Sequence, residues 1–236
     1  MATEQNFQLF GPIHLGILGS IVALAALLAA IARRFTRWRA RLRTGVALTL
    51  LLNAIVWYAY LAFRGWLTFP DSLPFELCDA TLGVTVIASF TLNRIAFDLA
   101  YYGTLAGTSM ALITPDLWEP FPSFSTVQFF VAHGLVVVAV LFLVWSQQAR
   151  PRPGSVWRAM LGLNLFAAFA GAFDFVFRTN YMYLHAKPQN RSLLDYLGPW
   201  PWYILSSEIL ALVLFTLLYL PFKRWHGARP SPKEGF

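Results

Sequence analysis

Long apolar segments recur along the chain and limit its fold more than any other feature. The first, PIHLGILGSIVALAALLAAIARR, begins at Pro12 and carries no Lys, Arg, Asp or Glu before its final arginine pair. A helix needs roughly 17–25 residues of this kind to span a bilayer. The chain is 58% hydrophobic and 12% charged, whereas soluble domains contain about 25% charged residues. The sequence therefore predicts an all-α, polytopic membrane protein.

Seven such segments are predicted, and together they form one integral membrane domain that covers residues 1–236. Their approximate ranges are 12–32, 45–63, 75–92, 95–113, 126–146, 157–177 and 200–222. The third and fourth segments are short and are separated by a tight turn at Asn93–Arg94. The first segment has neither a basic region before it nor a small-residue cleavage site, so we expect a retained helix rather than a signal peptide.

Lys and Arg are concentrated in alternate connections and in the C-terminal tail. Fourteen of the eighteen lie on one side of the predicted membrane, and Arg64, Arg178, Lys187 and Arg191 lie on the other. The positive-inside rule then places the N-terminus outside the cell membrane and the C-terminus in the cytoplasm. The net charge of +7 is assigned to this topology and to anionic lipid headgroups, and not to nucleic acid.

A weak internal repeat relates the first three predicted segments to the last three. Segments one and five each place a histidine near the outer end, at His14 and His133, and segments two and six each carry an intramembrane asparagine, at Asn53 and Asn164. The pattern predicts two parallel three-helix bundles joined by the fourth helix, a 3+1+3 arrangement. Chance similarity is the alternative, because the spacings do not match throughout.

Ionisable side chains at bilayer depth are costly and are therefore candidates for function. A rise of about 1.5 Å per helical residue places one group of them in the outer half of the membrane: His14, Cys78, Asp79, His133, Asp174 and Glu208. Asp98 lies near the inner end, four residues after Arg94, and this spacing predicts a structural ion pair. Arg178, four residues after Asp174, is in the same way a possible ion-pair partner for that carboxylate.

Cys78 is the only cysteine in the chain, which excludes an internal disulfide and CxxC motifs. A thiolate is the reactive form, and a helix N-terminus or a nearby imidazole favours it. Glu76 and Asp79 oppose it, because negative charge raises the pKa of a thiol. A histidine is then needed as the base, with His133 the first candidate and His14 the second.

Three roles follow for the catalytic candidates. Cys78 is the nucleophile, His133 is the base, and Asp79 orients the imidazole, with Asp174 or Glu208 as alternatives for the last role. The structural alternative for Cys78 is a small buried hydrophobic residue.

Two other interpretations use the same side chains. His14, His133, Asp79 and Glu208 form a possible Zn²⁺ ligand set, but the chain has no HExxH or comparable local pair. We therefore predict neither a metal nor a cofactor. The second interpretation is a transporter or ligand-binding protein in which the buried histidines and acids bind solute or carry protons.

Two outer connections are rich in aromatic residues, which by default are interface anchors. The alternative is a lid and rim over an outer cavity, with Lys187 or Arg191 contacting a lipid phosphate. The substrate-binding candidates for such a cavity are His14, Glu76, Asn180, Tyr181, Lys187, Trp202 and Glu208.

Six short stretches, in order from about residue 70 to residue 222, together resemble the YwaF-type integral membrane proteins, which look related to the eukaryotic transmembrane protein 164 group. These stretches are LPFELCD, YGTLAGTSMALITPDL, FFVAHG, TNYMYLHAKP, LGPWPWYI and LYLPF. The resemblance implies seven helices and an acyltransferase that acts on phospholipids, with its cysteine nucleophile at Cys78 and its motif histidine at His133. Some relatives have His or Gln where this chain has Glu76, which shifts the role of base to His133.

The sequence thus predicts a lipid-modifying enzyme of the outer leaflet. Cys78 would attack a phospholipid ester, and a lysophospholipid or water would accept the acyl group. The alternative is a small-solute or lipid transporter, or a ligand-binding protein, without covalent chemistry. Phospholipid and lysophospholipid are the expected partners.

Overall fold

A computed structural model describes residues 7–117, 119–188 and 192–227, with side chains described as far as Lys223. This part of the chain is helical and contains no β-strand. The helices are α1 (Pro12–Arg34), α2 (Arg39–Phe63), α3 (Leu77–Thr91), α4 (Arg94–Tyr102), α5 (Ser109–Ile113), α6 (Phe124–Trp145), α7 (Ser155–Phe177) and α8 (Trp202–Gly227). A π-helical segment, Gly103–Thr108, joins α4 to α5, and 3₁₀ turns occur at Thr36–Trp38, Tyr181–Tyr183 and Leu193–Tyr196.

Five helices in the described ranges are long and apolar enough to cross a membrane, so the predicted count of seven is wrong. They are Pro12–Arg34, Thr36–Phe63, Phe124–Trp145, Ser155–Phe177 and Trp202–Lys223. Helix α3 has 15 residues, which extend roughly 22 Å against a hydrocarbon core of about 30 Å. The fourth predicted segment is divided by the π-helical turn. The 3+1+3 arrangement stays a prediction.

The tight turn between α3 and α4 is confirmed, and local chemistry explains it. Leu92 adopts the left-handed conformation with φ 54°, which ends α3. The Asn93 side chain then accepts hydrogen bonds from the backbone N–H groups of Ile95 and Ala96, each at 3.0 Å. This is a side-chain N-cap, and it starts α4 immediately after the turn.

Side-chain contacts define two ends of the helix bundle. At one end, which we call the loop face, lie the connections that follow α2, α5 and α7; the Tyr181 hydroxyl there donates to the Pro70 carbonyl at 2.7 Å. At the other end, which we call the arginine face, lie the connections that follow α1, α3 and α6. Near this end the Tyr102 hydroxyl lies 2.7 Å from the Ser155 hydroxyl. The helix α4, the π-helical segment and α5 are continuous and form one rod, which we call the α4–α5 rod; with this rod counted as one helix, successive helices run in opposite directions between the two faces.

The buried carboxylate at the arginine face has a different partner from the predicted one. Asp98 is 1% exposed, and its Oδ2 atom lies 2.7 Å from Nη2 of Arg158 on α7. Nε of the same guanidinium donates to Oδ2 at 2.9 Å. Arg94 is exposed, whereas Asp98 is on the buried side of α4. The predicted pair with Arg94 is therefore wrong: α4 packs against α7 through Asp98, which turns the carboxylate away from its own first turn.

Small residues bring the central helices close together. A Cβ atom added at Gly103 would lie 2.8 Å from Oγ1 of Thr81, and one added at Gly107 would lie 3.6 Å from Cδ2 of Leu77. These two glycines mark the line along which the π-helical segment contacts α3. Gly and Ala allow such close approach between helices in a membrane.

Candidate functional site

The N-terminus of α3 is fixed by the two acids that flank Cys78. Glu76 is the N-cap residue, and its side chain accepts from the backbone N–H of Asp79; the Asp79 side chain accepts in return from the N–H of Glu76 at 3.3 Å. This reciprocal pair is a capping box. Glu76 also accepts from the backbone N–H of Met182 at 3.0 Å. Both acids therefore hold the start of α3, and Glu76 holds the connection after α7 against it.

Asp174 organises the same connection from the end of α7. It is 1% exposed, and its Oδ1 atom accepts from the Thr179 hydroxyl at 2.6 Å and from the backbone N–H of Tyr181 at 3.0 Å. No described hydrogen bond joins its side chain to the guanidinium of Arg178 or to an imidazole. Its place in the site is to support the backbone that follows α7.

Two of the predicted substrate-binding residues are engaged within this connection. The Asn180 Oδ1 atom accepts from the N–H groups of His185 at 2.9 Å and Ala186 at 3.0 Å, and its Nδ2 donates to the Ala186 carbonyl at 2.9 Å. The Tyr181 hydroxyl accepts from the backbone N–H of Leu73 at 2.9 Å and donates to the Pro70 carbonyl. Their polar groups shape the loop face and tie two connections together.

Acidic groups crowd the loop-face end of α3. Burial raises the pKa of Glu76 to about 7, with the charges of Asp79 and Asp174 acting in the same direction and the hydrogen bond from Met182 opposing them. Burial also raises the pKa of Tyr183, and the negative charges of Glu76, Asp116 and Cys78 add to the effect. Sequence reasoning did not single out Tyr183.

Cys78 is a free, half-buried thiol at the second residue of α3. No hydrogen bond in the described part of the chain joins its sulfur to a histidine. The structure thus confirms its place at a helix N-terminus.

His133 has a defined tautomer. Its Nδ1 atom lies 2.8 Å from the Phe129 carbonyl oxygen. Because a carbonyl oxygen accepts, Nδ1 carries the proton and Nε2 is the basic nitrogen. The ring stacks on Phe129 with centroids 4.1 Å apart. This leaves Nε2 as the atom that can receive a proton.

The direction of His133 follows from the next turn of α6. Val136 packs with a cluster that includes Leu82 of α3, and Val137 packs with a cluster that includes Leu112 of α5. Residues three and four apart share a helix face. The same clusters include Leu50 of α2 and Ile21 of α1, so His133 lies on the inward side of α6.

His14, the second candidate base, is an internal anchor. It is fully buried, its Nδ1 accepts from the backbone N–H of Phe10 at 3.0 Å, and its Nε2 donates to the Leu112 carbonyl at 2.8 Å. The rings of Phe7 and Phe130 surround the imidazole. Both nitrogens are used, so this histidine fixes α1 to the end of α5.

The contacts of the remaining predicted residues involve groups other than the thiol. Lys187 Nζ sits 5.4 Å from the centroid of the Tyr203 ring, and Trp202 is 63% exposed. Glu208 accepts from Nδ2 of Asn164 at 2.8 Å, which links α8 to α7. No group of three or more His, Cys, Asp or Glu residues is placed to hold a metal among residues 7–117, 119–188 and 192–227.

An apolar cavity of about 460 Å³ lies between α3, the α4–α5 rod, α7 and α8. Its α3 wall contains Leu77, Thr81 and Val84, and its opposite wall contains α8 residues such as Ala211. Leucines of the 3₁₀ turn Leu193–Tyr196 line it from the loop face. None of the substrate-binding residues predicted for an outer cavity lines it, although the small residues of GTLAGT that border it are visible in the chain.

Comparison with known proteins gives two matches. The model of the TMEM164 family matches residues 9–219. An uncharacterized protein of Treponema pallidum (strain Nichols) is 28% identical over 227 residues, covering 94% of this chain and 93% of the relative. No solved structure matches the chain.

Proposed function

Since the chain belongs to the TMEM164 family, we propose that this membrane protein is an enzyme that transfers or hydrolyses the acyl chains of phospholipids through Cys78. One observation carries the proposal: Cys78 lies on α3 next to residues that line an apolar cavity. Leu77, the residue before Cys78, and Thr81, one turn later, both line that cavity. Its volume of about 460 Å³ falls within the roughly 300–1,000 Å³ of small-ligand sites.

The chemistry assigned to Cys78 is acyl transfer in two steps. The thiol sulfur attacks the ester carbonyl carbon, and the thiol proton passes to Nε2 of His133. When the C–O bond breaks, this proton goes to the departing lysophospholipid alkoxide, and a thioester remains on Cys78. A second lysophospholipid hydroxyl, or water, then attacks the thioester and restores the thiol.

The proposed membrane orientation rests on charge. The arginine face carries the Arg-rich connection between α1 and α2, so the positive-inside rule puts this face in the cytoplasm. The loop face, with Cys78, then meets the outer leaflet, and phospholipid and lysophospholipid are the substrates it would take.

The direct test uses purified protein in lipid nanodiscs with an acyl-labelled phospholipid and an unlabelled lysophospholipid. Wild-type protein should move label to the lysophospholipid or release it as fatty acid. Cys78→Ala should abolish both, while Thr216→Ala, at an exposed position on α8, should behave as wild type. Equal activity in Cys78→Ala and wild type rules out a cysteine nucleophile.

A second candidate function is non-covalent lipid binding or transport. The observation in its favour is that no described hydrogen bond joins a histidine to Cys78. The cavity itself requires no covalent chemistry to bind a lipid. This candidate predicts that Cys78→Ser still binds or moves lipid and that loss of Glu208 or His133 impairs it. Retained lipid binding together with no acyl release in the wild type would decide for it.

A further inference from the structure

We propose that a buried hydration site lies between α3, the π-helical segment Gly103–Thr108 and α6, where the hydroxyls of Thr104 and Thr108 hold water that carries protons between Cys78 and His133. The inference rests on the proposed function, because it gives the thiol a path to its base. It assigns a role to two residues that the catalytic candidates do not include.

The two hydroxyls are the first observation. Thr104 is 0% exposed and Thr108 is 2% exposed, and neither Oγ1 atom has a hydrogen-bond partner among the described residues. Burying a hydroxyl without a partner is unfavourable. Buried polar atoms of this kind indicate a partner such as an internal water.

Other threonines of the same chain show that this arrangement is unusual. The hydroxyls of Thr49, Thr85, Thr91, Thr114 and Thr216 each donate to the carbonyl four residues earlier. That local bond is the usual way to satisfy a threonine in a helix. Thr104 and Thr108 do not make it, so their hydroxyls are available to a partner outside their own helix.

The side of the helix on which they lie is the second observation. Gly107 stands opposite Leu77, and Gly103 stands opposite Thr81, so Cys78 is at the depth of this turn. Helix α3 and the α4–α5 rod are antiparallel. A step of one residue along either of them rotates the side-chain direction by about 100°, and because the two are antiparallel, both rotations lead to the same side of their contact line. On α3 this step goes from Leu77 to Cys78. On the π-helical segment it goes from Gly103 to Thr104 and from Gly107 to Thr108.

The cavity occupies the other side of the same contact line. Ala80 directly precedes the contact residue Thr81, and Ala106 directly precedes the contact residue Gly107. Both alanines line the cavity together with residues of α7 and α8. Helix α6 packs against both α3 and the π-helical segment, and His133 is on its inward side. The thiol and the two hydroxyls therefore lie on the side of this contact line away from the cavity, and the proposed proton path to His133 leaves α3 on that side.

Water is the ligand that this chemistry fits. Threonine hydroxyls both donate and accept, and they carry no charge to balance a cation. In the transfer step, the Cys78 thiol gives its proton to a water, and the water gives another of its protons to Nε2 of His133. The products are a thiolate, an imidazolium and an unchanged water, and the reverse path returns the proton.

The test measures thiol reactivity, which needs no lipid chemistry. Wild type, the double variant Thr104→Val/Thr108→Val and the matched control Thr104→Ser/Thr108→Ser are labelled with iodoacetamide across pH 6–9. Valine keeps the shape and removes the hydroxyl, whereas serine keeps the hydroxyl. We expect about tenfold slower labelling at neutral pH in the valine variant, with a profile moved to higher pH, and rates close to wild type in the serine variant.

The base end of the path is tested by His133→Gln. Its slowing of the labelling should not add to that of the valine variant, because both interrupt one path. Additive slowing, or wild-type labelling in the valine variant, overturns the relay even when acyl transfer depends on Cys78. If labelling is slowed in the valine variant while the wild type shows no acyl transfer, the relay is supported and the proposed enzymatic activity is refuted.

Two further arms complete the experiment. If the double variant does not fold, as judged by its melting transition, Thr108→Val and Thr108→Ser replace it with the same expected contrast. A labelling rate that depends on Na⁺ when choline is the control cation would identify a cation ligand and overturn the assignment to water.

Discussion

The Glu76 carboxylate accepts the backbone N–H of Met182 at 3.0 Å, across 106 positions of the chain. This contact joins the N-terminus of α3 to the connection after α7, and it lies beside the thiol. The acid that first looks like an obstacle to thiolate formation is therefore part of the frame that holds Cys78 in place.

Glu76 should make the stability of the loop face depend on pH. The folded pKa is raised from 4.5 to about 7, so the contribution of the protonated form is complete below about 4.5 and is lost as pH rises through about 7. The melting temperature should fall between pH 5 and pH 8, and Glu76→Gln should flatten this fall. Asp71→Asn, at an exposed position, is the control, and an unchanged slope in Glu76→Gln contradicts the assignment.

Asp174 should be needed for folding of the connection after α7. Asp174→Ala leaves the Thr179 hydroxyl and the Tyr181 N–H without their acceptor, which should cost about 1.5–3 kcal/mol. Thr179→Val removes one of these two bonds and should cost less. Unfolding in detergent measures both, and equal stability of Asp174→Ala and wild type would refute the structural role.

Two substitutions at the arginine face distinguish Arg158 from Arg94 as the ion-pair partner of Asp98. Removal of Arg158 leaves a buried carboxylate unpaired, and Arg158→Ala should destabilise the protein by about 3–5 kcal/mol. Arg94→Ala should stay within about 0.5 kcal/mol of wild type, as an exposed residue does. The reverse order of the two variants would restore the pairing within α4.

Filling the cavity should block lipid without harm to the fold. Ala211→Phe places a ring in the apolar space of about 460 Å³. Acyl transfer or lipid binding should then fall about tenfold or more, where tenfold corresponds to a loss of about 1.4 kcal/mol of binding free energy. Ala168→Phe, at an exposed position on α7, is the matched control. Equal effects of the two substitutions, or none from either, would show that the cavity is not the lipid site.

Several particulars were predictable because they depend on neighbouring residues. The turn at Asn93–Arg94 follows from a side-chain cap, and the position of Cys78 near a helix start follows from the residues around it. Partners across the bundle were not predictable in the same way. Depth alone grouped His14 with His133, yet the imidazole of His14 has both nitrogens bonded, whereas among the described residues only Nδ1 of His133 has a hydrogen-bond partner.

The sequence by itself determined that this chain is helical and apolar enough for a membrane, because helix length and hydropathy are local properties of consecutive residues. Only the tertiary structure decided that five helices of the described residues are long enough to span, that Asp98 pairs with Arg158, and that the flanking acids of Cys78 are capping groups. It also separated the cavity side of α3 from the threonine side. These outcomes depend on which helix faces pack together, and small residues such as Gly103 and Gly107 set that contact line through their lack of a Cβ atom.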